Sequence, residues 1–225
     1  MRSTLGVLLA ALVEHASAHL TLQAPAKVNL FLRITKKRHD GFHELASLFQ
    51  TVNLCDELTF EQTHRTAASN TDDDEPLATM EVTPDSVGYS LIPTDESNLV
   101  MRALLLYAQR VPSDTKIHCV LRKRTPVQGG LGGGSSDAAT ALFAANRLAG
   151  YPVSQPRLIE WAGELGSDVG FFLSQGTAFC TGRGELVEER PPLPVCPVCL
   201  IKPAAGLSTP EVYRALGLQP GDELA

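Results

Sequence analysis

The chain has 225 residues, 44% hydrophobic and 20% charged, which is typical of a globular protein with one large domain or two small ones. Its formal net charge of -6 argues against a generic nucleic-acid binder, because such proteins need many Lys and Arg residues. Five cysteines, an odd number, do not indicate a disulfide scaffold. Basic residues cluster at 36–38 and 122–124, which we interpret as solvated strand ends.

The first residues contain a short apolar run, 5–13, followed by Ala16-Ser17-Ala18, which resembles a small-residue cleavage site. We therefore interpret residues 1–19 as a leader or targeting segment, with an extra helix as the alternative. The run is far too short to cross a bilayer, and no other segment approaches that length. We expect no membrane partner.

The next elements predicted in chain order are strands. Apolar residues alternate along 28–34, the period-two pattern of a half-buried strand. A turn is predicted at 39–41 and a second strand over 45–58. The stretch 63–76 is the most polar in the chain and predicts a surface loop.

A helix is predicted over 99–107, with Ser97 or Asn98 as its N-cap and Pro112 after its end. The apolar run 117–121 then predicts another strand. Between this strand and the following helix lies a glycine-rich stretch.

The second half of the chain predicts two more helices and further strands. One helix covers 136–149 and stops at Gly150, and the next is capped by Ser154 and ends at Gly166. A strand is predicted over 176–181. Strands and helices in this irregular order indicate an α+β fold.

Two cysteines, Cys196 and Cys199, form a C-x-x-C pair that raises metal or redox chemistry as a hypothesis. They lie in an apolar run, 195–202, that we predict to be a buried strand. Residues three apart on a strand point to opposite faces, which is wrong for a shared metal ion. We therefore predict that both cysteines are structural.

The glycine-rich stretch places five glycines in the six positions 129–134. A helix is predicted to follow this stretch. The first backbone N–H groups of a helix lack partners within it, so this end of the helix attracts anions. The hydroxyls of Ser135 and Ser136 could contact phosphate or a phosphate-bound Mg²⁺. Ser135 stands where a P-loop has Lys, so this is a different phosphate-binding loop. A flexible linker is the alternative, but linkers rarely join so well-formed a helix.

The segment 126–139 resembles the ATP-binding motif of the GHMP kinases, and five other segments resemble the diphosphocytidyl-methylerythritol kinases within that superfamily. The matches span 24–213, and the last two look closest to plant and algal members. They are Ala24-Pro25-Ala26-Lys27-Val28-Asn29-Leu30, Asp40-Gly41-Phe42-His43, Gly166-Ser167-Asp168-Val169, Thr181-Gly182-Arg183-Gly184-Glu185 and Ser208-Thr209-Pro210-Glu211-Val212-Tyr213.

The resemblance implies transfer of the γ-phosphoryl group of ATP to the 2-hydroxyl of a cytidyl-diphosphate-linked methylerythritol. Asp168 matches the aspartate that accepts the hydroxyl proton, Lys27 matches its lysine partner, and Asn29 would be a further substrate contact. Without the resemblance, Asp168 would be interpreted as a helix cap and Lys27 as a solvated lysine.

The resemblance also implies how the two ligands are held. Phe42, His43 and Tyr213 would contact the cytosine, although Phe42 alone reads as a core residue and His43 as a turn residue. Mg²⁺ would be bound mainly through ATP, with Ser135 or Ser136 as an added ligand. The implied ATP contacts are Pro126, Val127, Gln128, Gly129, Gly130, Leu131, Gly132, Gly133, Gly134, Ser135 and Ser136.

The implied fold is α+β, with a GHMP kinase N-terminal ATP-binding domain of the ribosomal protein S5 domain 2-like type over 20–194. Residues 195–225 would begin a C-terminal α+β domain that is cut short.

Two alternatives stay open: another GHMP kinase of the homoserine or mevalonate type, and an inactive ATP-binding remnant. The expected partner is a small molecule rather than nucleic acid, in a monomer or weak homodimer. The expected location is the plastid, if the plant and algal resemblance holds, and otherwise the cytoplasm.

Overall fold

The structure is a computed structural model that describes residues 18–64, 76–203 and 209–224. Within these ranges the chain forms one six-stranded mixed sheet with helices packed against it. The strands are β1 (Ala18–Lys37), β2 (His43–His64), β3 (Ala78–Val82), β4 (Thr115–Arg122), β5 (Thr177–Thr181) and β6 (Leu186–Glu189). The helices are α1 (Leu99–Arg110), α2 (Gly133–Leu148), α3 (Gln155–Leu165) and α4 (Thr209–Ala215), with 3₁₀ turns at Tyr89–Leu91 and Gly170–Leu173.

The long strand β2 organises the sheet. The antiparallel strand β1 runs beside it from one end to the other. On its opposite side β2 has two successive antiparallel partners, β5 along residues 47–50 and β4 along residues 57–64. The outer strand β3 is parallel to β4, and β6 is antiparallel to β5. One strand therefore connects the part of the sheet next to β4 with the part next to β5.

Helix α2 lies at the centre of the helical layer, against α1, α3 and β1. Its inward face carries alanines, including Ala138, Ala141 and Ala145, that are at most 1% exposed. Side chains this small allow close approach of neighbouring backbones, so the position of α2 is fixed by the core on several sides. The core around it also contains Leu104 and Trp161.

Most of the predicted elements are present. The Oδ1 atom of Asn98 accepts a hydrogen bond from the N–H of Val100 at 2.9 Å, which confirms the N-cap of α1. Helix α2 is followed by Gly150 with φ of +81°, as its stop signal predicted. The helix begins at Gly133, three residues before the predicted start, because two of the loop glycines form its first turn.

The predicted buried strand over 195–202 is wrong. This stretch has no strand partner among the described residues, and Val195 and Ile201 are 103% and 87% exposed. Cys196 and Cys199 are exposed as well. Prolines at positions 194 and 197 have no N–H to donate to a ladder, which explains why an apolar run does not pair here.

Two further expectations fail in detail. Leu30 and Leu32 of β1 are 49% and 46% exposed, so this part of the strand has no buried face. Lys123 is buried rather than solvated, although it does follow the end of a strand.

The segment 1–19 and the predicted loop 63–76 lie almost entirely outside the described residues. In the described part of the chain, no helix has the length and apolar character needed to cross a membrane.

Candidate functional site

Two cavities lie on either side of the glycine-rich loop. One has a volume of about 590 Å³ and is lined mainly by the loop itself and by the residues before α1. The other, of about 680 Å³, is lined by residues of β1, β2 and α4 and by the turn after α3. Gly130 and Gly132 line both cavities. Two ligand-sized spaces therefore adjoin the same two glycines of the loop. We refer to them as the loop cavity and the strand cavity.

The loop cavity receives all but one of the loop residues singled out from the sequence. Residues 126–135 line it, whereas Ser136 is completely buried and its hydroxyl has no hydrogen-bond partner among the described residues. Apolar side chains of Leu91, Ile92 and Leu99 line the same cavity. A space lined both by the start of a helix and by apolar side chains suits a phosphorylated ligand with a flat ring.

Gly132 shows why the loop needs glycine. Its φ is +68°, and a Cβ atom there would lie 2.9 Å from Cζ of Phe172 and 3.0 Å from Cγ of Lys27. The N–H of Lys27 donates to the carbonyl oxygen of Leu131 at 2.9 Å. The loop is thus held directly against β1, with no room for a side chain at this point.

Lys27 and Asp168, predicted as a pair from the sequence, do meet in the strand cavity. Nζ of Lys27 lies 3.3 Å from Oδ2 of Asp168, with the two side chains 6% and 31% exposed. The Lys27 ammonium also lies 4.3 Å from the centre of the Phe49 ring. Phe49 makes an edge contact with Phe171, three residues after Asp168, at 5.2 Å between ring centres. The aromatic pair thereby connects the Lys27 ammonium with the turn that carries the aspartate.

Asn29 orients Lys27. Its Oδ1 accepts a hydrogen bond from Nζ of Lys27 at 2.6 Å, and its amide nitrogen donates to Oγ of Ser47 at 3.0 Å. Ser47 is fully buried and donates in turn to the carbonyl oxygen of Phe31 at 2.5 Å. Sequence reasoning singled out Asn29 as a ligand contact and missed Ser47. The position of Ser47 in a long apolar strand gave no signal for this role.

The three aromatic residues that the resemblance implies as base contacts, Phe42, His43 and Tyr213, all line the strand cavity. The rings of His43 and Tyr213 stack with centres 4.7 Å apart and planes at 27°. Phe42 is 51% exposed, and the guanidinium carbon of Arg183 lies 4.9 Å from its ring centre. Burial, with a smaller effect of Lys37, lowers the pKa of His43, so the ring is neutral near pH 7 and can both donate and accept hydrogen bonds.

Three basic residues that were not singled out line the same cavity: Lys37, Arg183 and Arg214. Lys37 donates through Nζ to the carbonyl oxygen of Gly41 at 2.6 Å. Only Arg183 lies inside a segment with family resemblance, and the resemblance gave it no role. Together these cations favour a ligand that carries negative charge.

Comparisons with known proteins agree with this geometry. Residues 98–176 match the GHMP kinases N terminal domain. Over 91% of its length the chain is 45% identical to a 4-diphosphocytidyl-2-C-methyl-D-erythritol kinase of Protochlamydia amoebophila, of which it covers 65%. Over 89% of its length it is 47% identical to a chloroplastic 4-diphosphocytidyl-2-C-methyl-D-erythritol kinase of Oryza sativa subsp. japonica, of which it covers 47%. The chain thus spans from about half to about two thirds of these relatives.

Solved structures give the same result. A crystal structure of 4-(cytidine 5'-diphospho)-2C-methyl-D-erythritol kinase has a TM-score of 0.65 at 33% identity, covering 87% of this chain and 64% of that one. A homoserine kinase from Cytophaga hutchinsonii has a TM-score of 0.60 at 20% identity, covering 87% and 59%, and shows the fold alone. Residues 98–176 therefore form a GHMP kinases N terminal domain, and over about nine tenths of its length the chain is similar to 4-diphosphocytidyl-2-C-methyl-D-erythritol kinases.

Proposed function

We propose that this protein is an ATP-dependent kinase that phosphorylates the 2-hydroxyl of 4-diphosphocytidyl-2-C-methyl-D-erythritol, a step of non-mevalonate isoprenoid synthesis. One observation carries the proposal. The loop cavity and the strand cavity meet at Gly130 and Gly132, and the ion pair of Lys27 and Asp168 lines the strand cavity there. A phosphoryl donor on one side of the loop and an acceptor hydroxyl on the other would meet beside this pair.

The loop fits the phosphates of ATP. Positive φ values at Gly130 and Gly132, and the close packing behind Gly132, bring bare backbone to the cavity surface. Ser135 lines the cavity and is the hydroxyl we assign to a phosphate or to Mg²⁺, whereas the buried Ser136 is oriented towards the core. Mg²⁺, when bound with ATP, would neutralise charge on the β- and γ-phosphates.

Asp168 and Lys27 would act on the transferred group. The carboxylate of Asp168 is half-exposed to the cavity and would accept the proton of the attacking hydroxyl. The ammonium of Lys27, fixed by Asn29, would stabilise the negative charge that develops on the transferring phosphoryl group. Phosphoryl transfer depends mainly on alignment and electrostatics, and a buried, doubly held ammonium provides both.

The other end of the strand cavity suits a cytidine diphosphate. Phe42 and the stacked pair of His43 and Tyr213 offer ring faces to a flat base, and the neutral His43 can hydrogen-bond its edge. Lys37 and Arg183 lie in the same cavity and would pair with the diphosphate. The aromatic rings, the cations and the ion pair would supply contacts for the base, the diphosphate and the sugar alcohol of the proposed substrate.

The proposal extends to the setting of the reaction. Relatives in rice, tomato and Arabidopsis thaliana are named as chloroplastic, which supports a plastid location, with residues 1–19 as the targeting segment. Residues 20–194 would form the ATP-binding domain and 195–225 would begin the next. We propose a small-molecule substrate, no nucleic-acid or membrane partner, and a monomer or weak homodimer.

Turnover with a panel of acceptors tests the proposal. The purified protein is given MgATP and, separately, 4-diphosphocytidyl-2-C-methyl-D-erythritol, homoserine or mevalonate, and ADP formation is followed. We expect turnover with the cytidyl substrate alone. Turnover with homoserine or mevalonate would favour another GHMP kinase. Binding of MgATP by calorimetry without turnover of any acceptor would instead favour the inactive remnant.

A further inference from the structure

Two cysteines, Cys196 and Cys199, have no role in the proposed reaction. We predicted them to be structural because we predicted a buried strand around them, and the structure has no strand there. Both thiols are free and exposed. The other cysteines differ, because burial raises the pKa of the thiols of Cys55, Cys119 and Cys180. The exposed pair therefore contains the thiols of this chain that are most accessible to oxidants.

The backbone between the two cysteines can form the turn that a disulfide requires. Residues 191–203 contain no helix, strand or turn. In such a stretch, Cα atoms three positions apart are separated by up to about 10 Å. A disulfide needs a separation of about 5.5–6 Å. Pro197 is the second residue of the four, a position where proline favours a β-turn. A disulfide would therefore shorten this segment and fix it as a turn.

The same segment extends to the glycine-rich loop. A Cβ atom on Gly129 would lie 3.6 Å from Cδ of Lys202, so the aliphatic stem of Lys202 packs over this glycine. Lys202 follows Cys199 by three residues, and no regular element lies between them. Gly129 in turn lines the loop cavity. The dithiol is therefore connected to the loop by a short and continuous piece of chain.

The stretch before the cysteines transmits the shortening instead of absorbing it. The N–H of Arg190, directly after β6, donates to the carbonyl oxygen of Thr177 at 2.9 Å, which fixes this end of the segment. Three prolines lie within 191–194, and proline-rich chain is a semi-rigid spacer. With a fixed start and a stiff spacer, a contraction at 196–199 moves mainly the residues after it, among them Lys202.

We propose that Cys196 and Cys199 form a reversible disulfide that withdraws Lys202 from Gly129 and loosens the glycine-rich loop. The oxidant is a disulfide of low molecular weight. One cysteine thiolate attacks a sulfur of this disulfide and releases one thiol, and the second cysteine then attacks the mixed disulfide and releases the other. The two protons and two electrons lost by the cysteines are found in the two released thiols. Exchange with an added dithiol reverses both steps.

The effect on nucleotide binding rests on the proposed function, whereas the disulfide and the loosened loop do not. We therefore measure the loop directly. The whole protein is equilibrated with glutathione disulfide or with dithiothreitol, and mass spectrometry and deuterium exchange are recorded. We expect the oxidised protein to have lost two hydrogen atoms, both from the peptide that contains the cysteine pair. The backbone amides of residues 129–135 should exchange faster in the oxidised form.

The affinity for Mg²⁺ and a non-hydrolysable ATP analogue should be about two- to tenfold lower in the oxidised form, as expected when one or two methylene groups lose their packing. Calorimetry measures it. The double variant Cys196→Ser and Cys199→Ser should show the reduced-form exchange and affinity in both buffers. Cys55→Ser is the matched control, because it keeps the exposed pair and should respond as the wild type does. Lys202→Ala should still form the disulfide, but its loop should exchange fast in both buffers.

The wild type alone decides the outcome. Absence of the disulfide, a lasting glutathione adduct in its place, or equal loop exchange in the two forms overturns the inference. A loop that responds equally to oxidation in the double variant overturns it too. If neither form binds the analogue but the loop still loosens on oxidation, the proposed function fails and the inference stands.

Discussion

Nζ of Lys27 lies 3.3 Å from Oδ2 of Asp168, although one residue lies in the first strand and the other in the turn after α3. Two contacts keep them together. The ammonium is placed over the ring of Phe49, and Phe171 packs edge-on against the same ring. On the other side, a Cβ atom on Gly184 would lie 3.2 Å from Oδ1 of Asp168, so the loop after β5 closes on the carboxylate. The pair is thus held at the edge of the strand cavity by packed neighbours from three parts of the chain.

Asp168→Asn should lower kcat by roughly 10²–10⁴-fold with little change in ATP affinity, because the amide keeps the shape and loses the proton acceptor. Steady-state kinetics on the proposed substrate, with calorimetry for MgATP, checks both parts. Lys27→Met keeps the aliphatic stem against Gly132 and should also lower kcat. The double variant should lose less than the product of the single effects, because the pair acts as a unit. A wild-type kcat in Asp168→Asn would refute the base assignment.

Ser47→Ala should lower kcat without changing KM, although Ser47 lines neither cavity. It removes the hydroxyl that holds the amide of Asn29, and Asn29 in turn orients the ammonium of Lys27. The loss of one such hydrogen bond corresponds to about 0.5–1.5 kcal/mol, or roughly two- to tenfold in rate. Thr21→Ala, which removes an exposed hydroxyl on the same strand pair, is the control. An unchanged kcat in Ser47→Ala would show that the hydrogen bond between Asn29 and Ser47 is not needed to orient Lys27.

Gly132→Ala should weaken MgATP binding strongly. The added methyl would meet Phe172 and Lys27 at about 3 Å, and alanine is strained at a φ of +68°. The loop must then move away from β1. Gly163→Ala on α3, where no atom of the described residues lies within 4 Å of the new methyl, is the matched control and should bind as the wild type. Calorimetry reports the affinities, and circular dichroism establishes that both variants fold. Equal affinities in folded proteins would contradict the loop assignment.

Tyr213→Ala should chiefly raise KM for the cytidyl substrate, because a stacking surface is lost in ground and transition states alike. A base stacked on an aromatic ring corresponds to about 1–3 kcal/mol, which is roughly a 5- to 150-fold change in KM. Tyr213→Phe keeps the ring that stacks on His43 and should leave KM within a few-fold of the wild type. If both variants raise KM equally, the phenol hydroxyl rather than the ring face makes the contact.

Asp137 should make the stability of the free protein depend on pH. Burial raises its folded pKa from an ordinary value of 3.8 to about 7. Between these values the folded state binds more protons at this site than the unfolded state, so this contribution to the free energy of unfolding falls as pH rises. Relative to the wild type, Asp137→Asn should therefore become more stable from about pH 5 to about pH 8. Urea unfolding at both pH values measures the difference, and no change in it would show that Asp137 titrates normally.

The sequence predicts the helical layer well because its signals are local. The cap at Asn98, the stop at Gly150 and the glycine density before α2 each depend on residues a few positions apart. The exposed run after Pro194 could not be predicted in this way. Whether an apolar stretch becomes a strand depends on the partner it finds, and periodicity alone contains no information on that partner.

The site residues show the same difference between local signals and positions that depend on the fold. Lys27, Asp168 and the loop were singled out because family resemblance marks them. Ser47 is different, because its role depends on a side-chain contact with Asn29 between neighbouring strands. The strand register pairs Ser47 with Leu32 and Asn29 with Phe49, so this contact is diagonal and follows only from the register. The burial of Lys123 likewise depends on the fold, which places it between acids from β2 and α2. A basic residue among basic neighbours gives no such indication in the sequence.

The shared strand β2 links the two cavities. Residues 47–50 pair with β5 on the side of the strand cavity, and residues 57–64 pair with β4, which leads to the loop cavity. Both cavities are thus built around one continuous length of backbone.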